Sequence, residues 1–254
     1  MTGKERGNDN SLNFTYNAFM IKLVFDIETV GEEFAEMDEA TRASITKRAR
    51  KEAVNEEEFN TMVDDLESGF ALSPLTGEIV AIGTLDADSM KGEVCFQSPS
   101  IDTPEINENG IKLQVMTEAE MLAHFWKLAE SASEFIGFNS RGFDAPFLIA
   151  RSAIHGIRPT IDLMSDRYGR FGVRHTDLYD QLSFYGASRF AHGSLHMWCR
   201  ALGIKSPKEN GVKGDDVSAL FKEKRFLDIA KYNMGDIIAT KELYDRWAKY
   251  VRFS

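Results

Sequence analysis

The chain has 254 residues, of which 43% are hydrophobic and 11% aromatic, enough apolar material for a packed core and too much for general disorder. Two cysteines, Cys95 and Cys199, are too few for a disulfide framework and too far apart for a metal knuckle, which leaves core thiols in a reducing compartment. A formal net charge of -10 excludes a uniformly basic surface, and no apolar run approaches the ~20 residues of a membrane span.

A polar, Asn- and Gly-rich lead-in over residues 1–18 is expected to be flexible, followed by a single domain over 19–254. The lead-in lacks the apolar stretch of a secretory signal, so the expected location is cytoplasmic, with no membrane partner. From Ile21 to Glu28, apolar Ile21, Leu23, Phe25 and Ile27 alternate with the other positions at the period of a strand, which puts Asp26 and Glu28 on one face. Residues 31–70 carry 12 acidic and 5 basic side chains and read as one or two charged surface helices, an insertion in the domain open between a lid, a partner surface and an inert decoration, the last favoured. Glu78 to Leu85 and Gly92 to Gln97 read as two more strands of an antiparallel meander. Thr117 and Glu120 form a capping-box pattern that opens a helix, and Glu134 to Phe138 reads as a strand. Pro146 fits the first turn of the next helix, with Asp144 at its start. Asp177 to Leu182 is open between strand and helix. Ser194 caps a helix over Leu195 to Leu202 that Gly203 ends, and a last helical zone, Val217 to Val251, is expected to break near Gly235. The sum is an α/β fold: a mixed sheet of five or six strands, an antiparallel meander and then parallel strands, flanked by helices.

Three separated stretches carry the chemistry: Asp26-Ile-Glu28, Asn139 to Asp144, and Tyr232 with Asp236 four residues on. Two carboxylates on an apolar strand are costly to bury without cations or donors. Tyr232 and Asp236 at i and i+4 share a helix face, which alone is an ordinary helix feature. Hydrolysis of a phosphodiester needs charge neutralised at the phosphoryl oxygens, and two hard cations ~3.5–4 Å apart, Mg²⁺ or Mn²⁺ on carboxylates, would supply it. A tyrosine with an ordinary pKa near ~10 suits orienting a water better than deprotonating it.

In this order and spacing the motifs resemble those of the DEDDy 3'-5' exonucleases, whose fold is ribonuclease H-like. The likeness is nearest to stand-alone predicted exonucleases related to the family-B DNA polymerase proofreading domain. It runs from Ile21 to about Val251 and takes in Ile79-Val80-Ala81-Ile82-Gly83 and Asp228-Ile229-Ala230-Lys231-Tyr232. The resemblance implies Asp26, Glu28, Asp144 and Asp236 as metal ligands, Tyr232 as the water-positioning residue, and Thr29, Asn139 and Phe143 as nucleotide contacts. Lys231 stands where the histidine version of the family would have His. The implied activity is metal-dependent removal of nucleoside 5'-monophosphates from a single-stranded 3' end, DNA before RNA. The alternatives are a ribonuclease D-like exoribonuclease and a catalytically silent nucleic-acid-binding or partner protein. A polymerase or repair partner is left open, and the length leaves no room for a polymerase domain.

Between Arg158 and Lys213 nine Lys/Arg outweigh five Asp/Glu, the expected basic surface. There Arg167, Arg170, Arg174 and Arg189 interleave with Tyr168, Phe171, Phe184 and Tyr185, which suits phosphate contact and base stacking or, equally, a core. His175, His192 and His196 are expected as surface or cap contacts, and Asp162, Asp177 and Asp180 as structural acids.

Overall fold

The computed structural model describes residues 21–99, 106–168, 171–188, 191–206 and 216–253. The lead-in, Arg170 and Arg189 lie outside them. Among the described residues one sheet holds seven strands: β1 (Ile21–Gly31), β2 (Gly77–Asp86), β3 (Gly92–Phe96), β4 (Ile106–Glu108), β5 (Ile111–Val115), β6 (Ala132–Gly137) and β7 (Arg174–Asp177). Their spatial order is β4-β5-β3-β2-β1-β6-β7. β1 runs antiparallel to β2 and parallel to β6, so it is interior, and its side chains are covered on both faces.

Seven strands stand where five or six were expected, because residues 106–115 fold as a hairpin on the sheet edge. Its turn is Asn109-Gly110, with φ of 56° and 82°. That dipeptide takes the left-handed conformation a tight hairpin requires at little cost.

The helices are α1 (Glu39–Ile45), α2 (Ala49–Glu52), α3 (Glu56–Ser68), α4 (Glu118–Ala129), α5 (Asp144–Ile154), α6 (Leu178–Leu182), α7 (Leu195–Leu202), α8 (Val217–Lys222) and α9 (Phe226–Tyr250). The charged insertion is thus three short helices, not one or two, capped by Asp38 and Asn55 side chains at α1 and α3. Thr117 and Glu120 make the full capping box of α4, and Ser194 and left-handed Gly203 bound α7. Asp177 resolves the open segment in both ways: it ends β7 and its side chain caps α6.

The last helical zone breaks at Lys224 and not at Gly235. Lys224 takes φ 60°, and Arg225 N–H returns to Leu220 O at 2.8 Å, closing α8. α9 then continues through Gly235, where the local cost of about 1 kcal/mol is offset by buried Met234, Ile237 and Leu243.

α9 covers one face of the sheet against Val24, Val80 and Val94. On the other face α4 and α5 enclose Phe25, Phe125, Trp126 and Phe135, with Phe25 5.7 Å from Phe125 and 6.1 Å from Phe135 between ring centroids. Asp26 and Glu28 therefore belong to the α9 face, and the odd-numbered Leu23, Phe25 and Ile27 anchor the strand in the opposite core. No helix among the described residues is long and apolar enough to cross a membrane.

Candidate active site

β1, α5 and α9 bring the three sequence stretches together. Asp26 and Glu28 leave β1 toward α9, and between Glu28 and Thr29 the register with β2 slips. That bulge, with Val80 of β2 left over, interrupts the pairing just after the second carboxylate before it resumes at Thr29 and Ile79, a common device beside a site. α9 crosses above and delivers Tyr232, Asn233 and Asp236. One carboxylate oxygen from each of Asp26, Glu28 and Asp236 lies within 4.8 Å of the other two. Asp144, first residue of α5, is held at their side, its Oδ1 accepting from Ile27 N–H at 3.0 Å.

The approach of α9 depends on Gly83, the residue paired with Asp26 across β2. A Cβ there would sit 2.1 Å from Asn233 Oδ1 and 3.0 Å from Ile237 Cγ2. Asn233 uses the space: its Nδ2 donates to Asp26 Oδ2 at 2.8 Å and to Glu28 Oε1 at 3.5 Å. Its Oδ1 is buried with no hydrogen-bond partner among the described residues, a cost accepted to aim the amide at the acids. The motif reading passed over Asn233. Its signal was a polar side chain on the inward face of an amphipathic helix, one residue from Tyr232.

Burial is the largest influence on all these groups. It raises Asp26 well above its ordinary pKa, as do the charges of Asp144, Asp236 and Glu28, while the Asn233 amide pulls the other way. Glu28 is raised by burial and by Asp236, again opposed by Asn233. Asp144 is pushed up to about 7, burial outweighing the Ile27 N–H. Tyr232 is raised by burial, by the three neighbouring carboxylates and by its hydrogen bond to Asp236, so its phenol holds its proton throughout the physiological range. Acids packed so that each disfavours the charge of the next are a site for positive charge. The donor set is all oxygen, which suits hard divalent cations better than soft ones.

The loop from β6 to α5 supplies Asn139 and Phe143. Asn139 is exposed with φ 59°, and Gly142 leaves room for its side chain, since a Cβ there would meet Asn139 Oδ1 at 2.7 Å. Asp177 clamps this loop: Oδ1 accepts from Asn139 N–H at 2.8 Å and Oδ2 from Arg141 N–H at 2.9 Å. His175 is a second support and not a surface residue. Burial holds its pKa down to about 4, so the neutral ring donates from Nδ1 to Leu163 O at 2.9 Å and accepts at Nε2 from Ser140 Oγ at 2.8 Å. His192 and His196 instead bond Tyr179 and Ser206.

Two clefts flank the carboxylates. One, of about 530 Å³, joins Asn139 to Tyr232 and Asp236. The other, of about 880 Å³, passes Glu28, Thr29 and Phe143 and reaches Asp64 and Glu67 of α3. The charged insertion thus borders the cleft through α3. Thr29 lines this cleft, but its hydroxyl donates to Ala71 O at 2.6 Å and so ties β1 to the end of the insertion.

The basic surface is more neutral than its sequence suggested. Arg167 pairs with Asp180, Nε to Oδ2 at 2.7 Å, and Arg174 with Glu134 at 3.1 Å. Both salt bridges end on buried acids, so these arginines are anchored within the protein. Tyr168, Phe171, Phe184 and Tyr185 are all exposed, which overturns the core alternative for them.

Residues 78–252 match the family described as predicted 3'-5' exonucleases related to the exonuclease domain of PolB. The strand with Asp26 and Glu28 precedes the matched stretch. Among solved structures, the family B DNA polymerase from the hyperthermophilic archaeon Pyrobaculum calidifontis superposes with a TM-score of 0.55 at 17% identity. The superposition covers 90% of this chain and 24% of the polymerase chain, and it shows a shared fold, the ribonuclease H-like mixed sheet. No curated protein matches. The match takes in Asn139, Asp144, Tyr232 and Asp236 and most of the sheet, and the chain belongs to the family of predicted 3'-5' exonucleases related to the exonuclease domain of PolB.

Proposed function

We propose that the chain is a metal-dependent 3'-5' exonuclease that acts on single-stranded 3' ends, DNA before RNA, and releases nucleoside 5'-monophosphates. The observation that carries this reading is the meeting of half-buried Asp26 with buried Glu28 and Asp236 within 4.8 Å, with Asp144 beside them and a protonated Tyr232 above. Two hard divalent cations, Mg²⁺ or Mn²⁺, held by Asp26, Glu28, Asp144 and Asp236 would neutralise the phosphoryl oxygens and make the attacking water more acidic.

The chain's own groups do the rest. Tyr232 keeps its phenol proton and so positions the water by hydrogen bonding, not as a base. Asn233 holds Asp26 and Glu28 in place before a cation arrives, which lowers the reorganisation needed at the reaction. Asn139 and Phe143 project from a loop that Asp177 and His175 make rigid, and they suit contacts to the last nucleotide, an amide edge and a stacking ring. Thr29, next to the bulge, lines the cleft that Phe143 borders.

The test is a 5'-labelled single strand, as matched DNA and RNA, incubated with Mg²⁺, with Mn²⁺ and with chelator. The expected result is a ladder shortening from the 3' end, faster on DNA and absent with chelator. A label retained at full length in Mn²⁺ despite tight binding would instead support a silent binding protein, and a ladder on RNA alone a ribonuclease D-like enzyme.

A further inference from the structure

A second group of donors meets on the opposite face of the sheet. Glu93 and Cys95 are two residues apart on β3 and share its α4 face. From α4, His124 turns its Nε2 onto Glu93 Oε1 in a short contact. One donor atom from each of Glu93, Cys95 and His124 lies within 4.8 Å of the other two. Gln114, opposite Cys95 on β5, donates through Nε2 to Glu93 Oε2 at 3.0 Å and to Cys95 Sγ at 3.2 Å. Cys95 is buried, whereas the side chains of Glu93 and His124 are 19% and 32% exposed, so the group opens to solvent on one side.

We propose that Glu93, Cys95 and His124 form a binding site for one borderline-soft divalent cation of the zinc class. A thiolate, a carboxylate and a neutral imidazole are the donors such an ion selects, and three protein ligands leave a fourth position for water. The charges also balance. One thiolate and one carboxylate offset a dication, so the filled site carries no net charge in its half-buried place. Filling it releases the thiol proton to solvent and frees the imidazole from its contact with Glu93, so binding strengthens as pH rises. Gln114 already bonds the sulfur and the carboxylate, as outer partners that orient metal ligands do. Bound there, the ion would link α4 to β3.

This site is separate from the carboxylates of β1. β3 lies two strands away, roughly 10 Å across the sheet, and the donors emerge on the other face. The two centres would also sort ions by softness, oxygen donors on one face and sulfur and nitrogen on the other.

The experiment uses full-length metal-stripped protein titrated with Co²⁺, whose thiolate-to-metal absorption in the near ultraviolet reports sulfur ligation, followed by displacement with Zn²⁺. The expected result is about one equivalent of this signal, removed by Zn²⁺ and intact in Asp236→Asn. Cys95→Ser abolishes the signal, and His124→Gln, a half-exposed change that spares the fold, weakens binding at least about tenfold. Absence of the thiolate band in the folded wild-type protein would overturn the proposal. So would Zn²⁺ affinity that is the same in wild type and His124→Gln.

Discussion

Glu118 and Glu28 are buried acids and Asp26 is a half-buried one, yet the protein treats the first and the other two oppositely. Glu118 opens α4 and collects Arg151 Nε at 2.8 Å and Nη2 at 2.6 Å, His155 at 2.6 Å and the Ile79 N–H at 2.8 Å. Burial would raise its pKa, but these donors outweigh it and hold the carboxyl below its ordinary range. Asp26 and Glu28 share one amide, that of Asn233, and face further carboxylates, so both are held above theirs. Compensation by the chain's own cations marks a structural acid. Acids massed against one another mark a place where positive charge is brought in from outside.

Substitution should separate the two kinds of acid most sharply. Asp26→Ala and Asp236→Ala are expected to lower turnover at least on the order of 10²–10³-fold while the metal-free melting temperature holds or rises. Glu118→Gln should do the reverse, leaving turnover within a few-fold and costing about 3–5 kcal/mol in denaturant unfolding, because Arg151 loses its buried partner. Tyr232→Phe should lower turnover by about 10²-fold while the rise in melting temperature on adding Mn²⁺ stays as in wild type.

Stability effects come next. Gly83→Ala puts a methyl into the space of Asn233 and should cost about 1–3 kcal/mol, with a further loss of activity as α9 lifts from the acids. The pH dependence of metal-free protein has two components of opposite sign. Asp144, pushed up to about 7, contributes stability that is present at acid pH and lost as pH climbs toward that value, and Asp26 and Glu28, also raised, act in the same direction. Mn²⁺ should remove that loss. His175, held down to about 4, works the other way: below about 6.5 the unfolded chain takes a proton that the folded chain refuses, so stability falls with falling pH. His175→Gln should flatten that acid slope by about 1–3 kcal/mol, read from unfolding midpoints between pH 4 and about 7.

Local chemistry made much of this legible in the sequence. The period-two pattern around Asp26 and Glu28, the Thr117 capping box, and the Ser194 and Gly203 boundaries depend on neighbours a few residues apart. The Asn109-Gly110 hairpin had the same kind of signal and was passed over because its strands are short. What stayed hidden depends on contacts between distant segments. Asn233 matters because it reaches Asp26, 207 residues away. Asp177 and His175 matter because they hold the Asn139 loop, and Arg167 reads as a phosphate contact until Asp180 is seen beside it. The break at Lys224 was hidden for another reason: a lysine in the left-handed region gives no compositional cue, whereas Gly235 gives a false one.

The most direct test of the carboxylate centre is an anomalous-scattering map from a crystal soaked in Mn²⁺ with a nucleoside 5'-monophosphate. Two peaks ~3.5–4 Å apart, touching Asp26, Glu28, Asp144 and Asp236 with the phosphate against them, are the predicted result. A map without manganese among these four side chains, in protein that still degrades a 3' end, would contradict it.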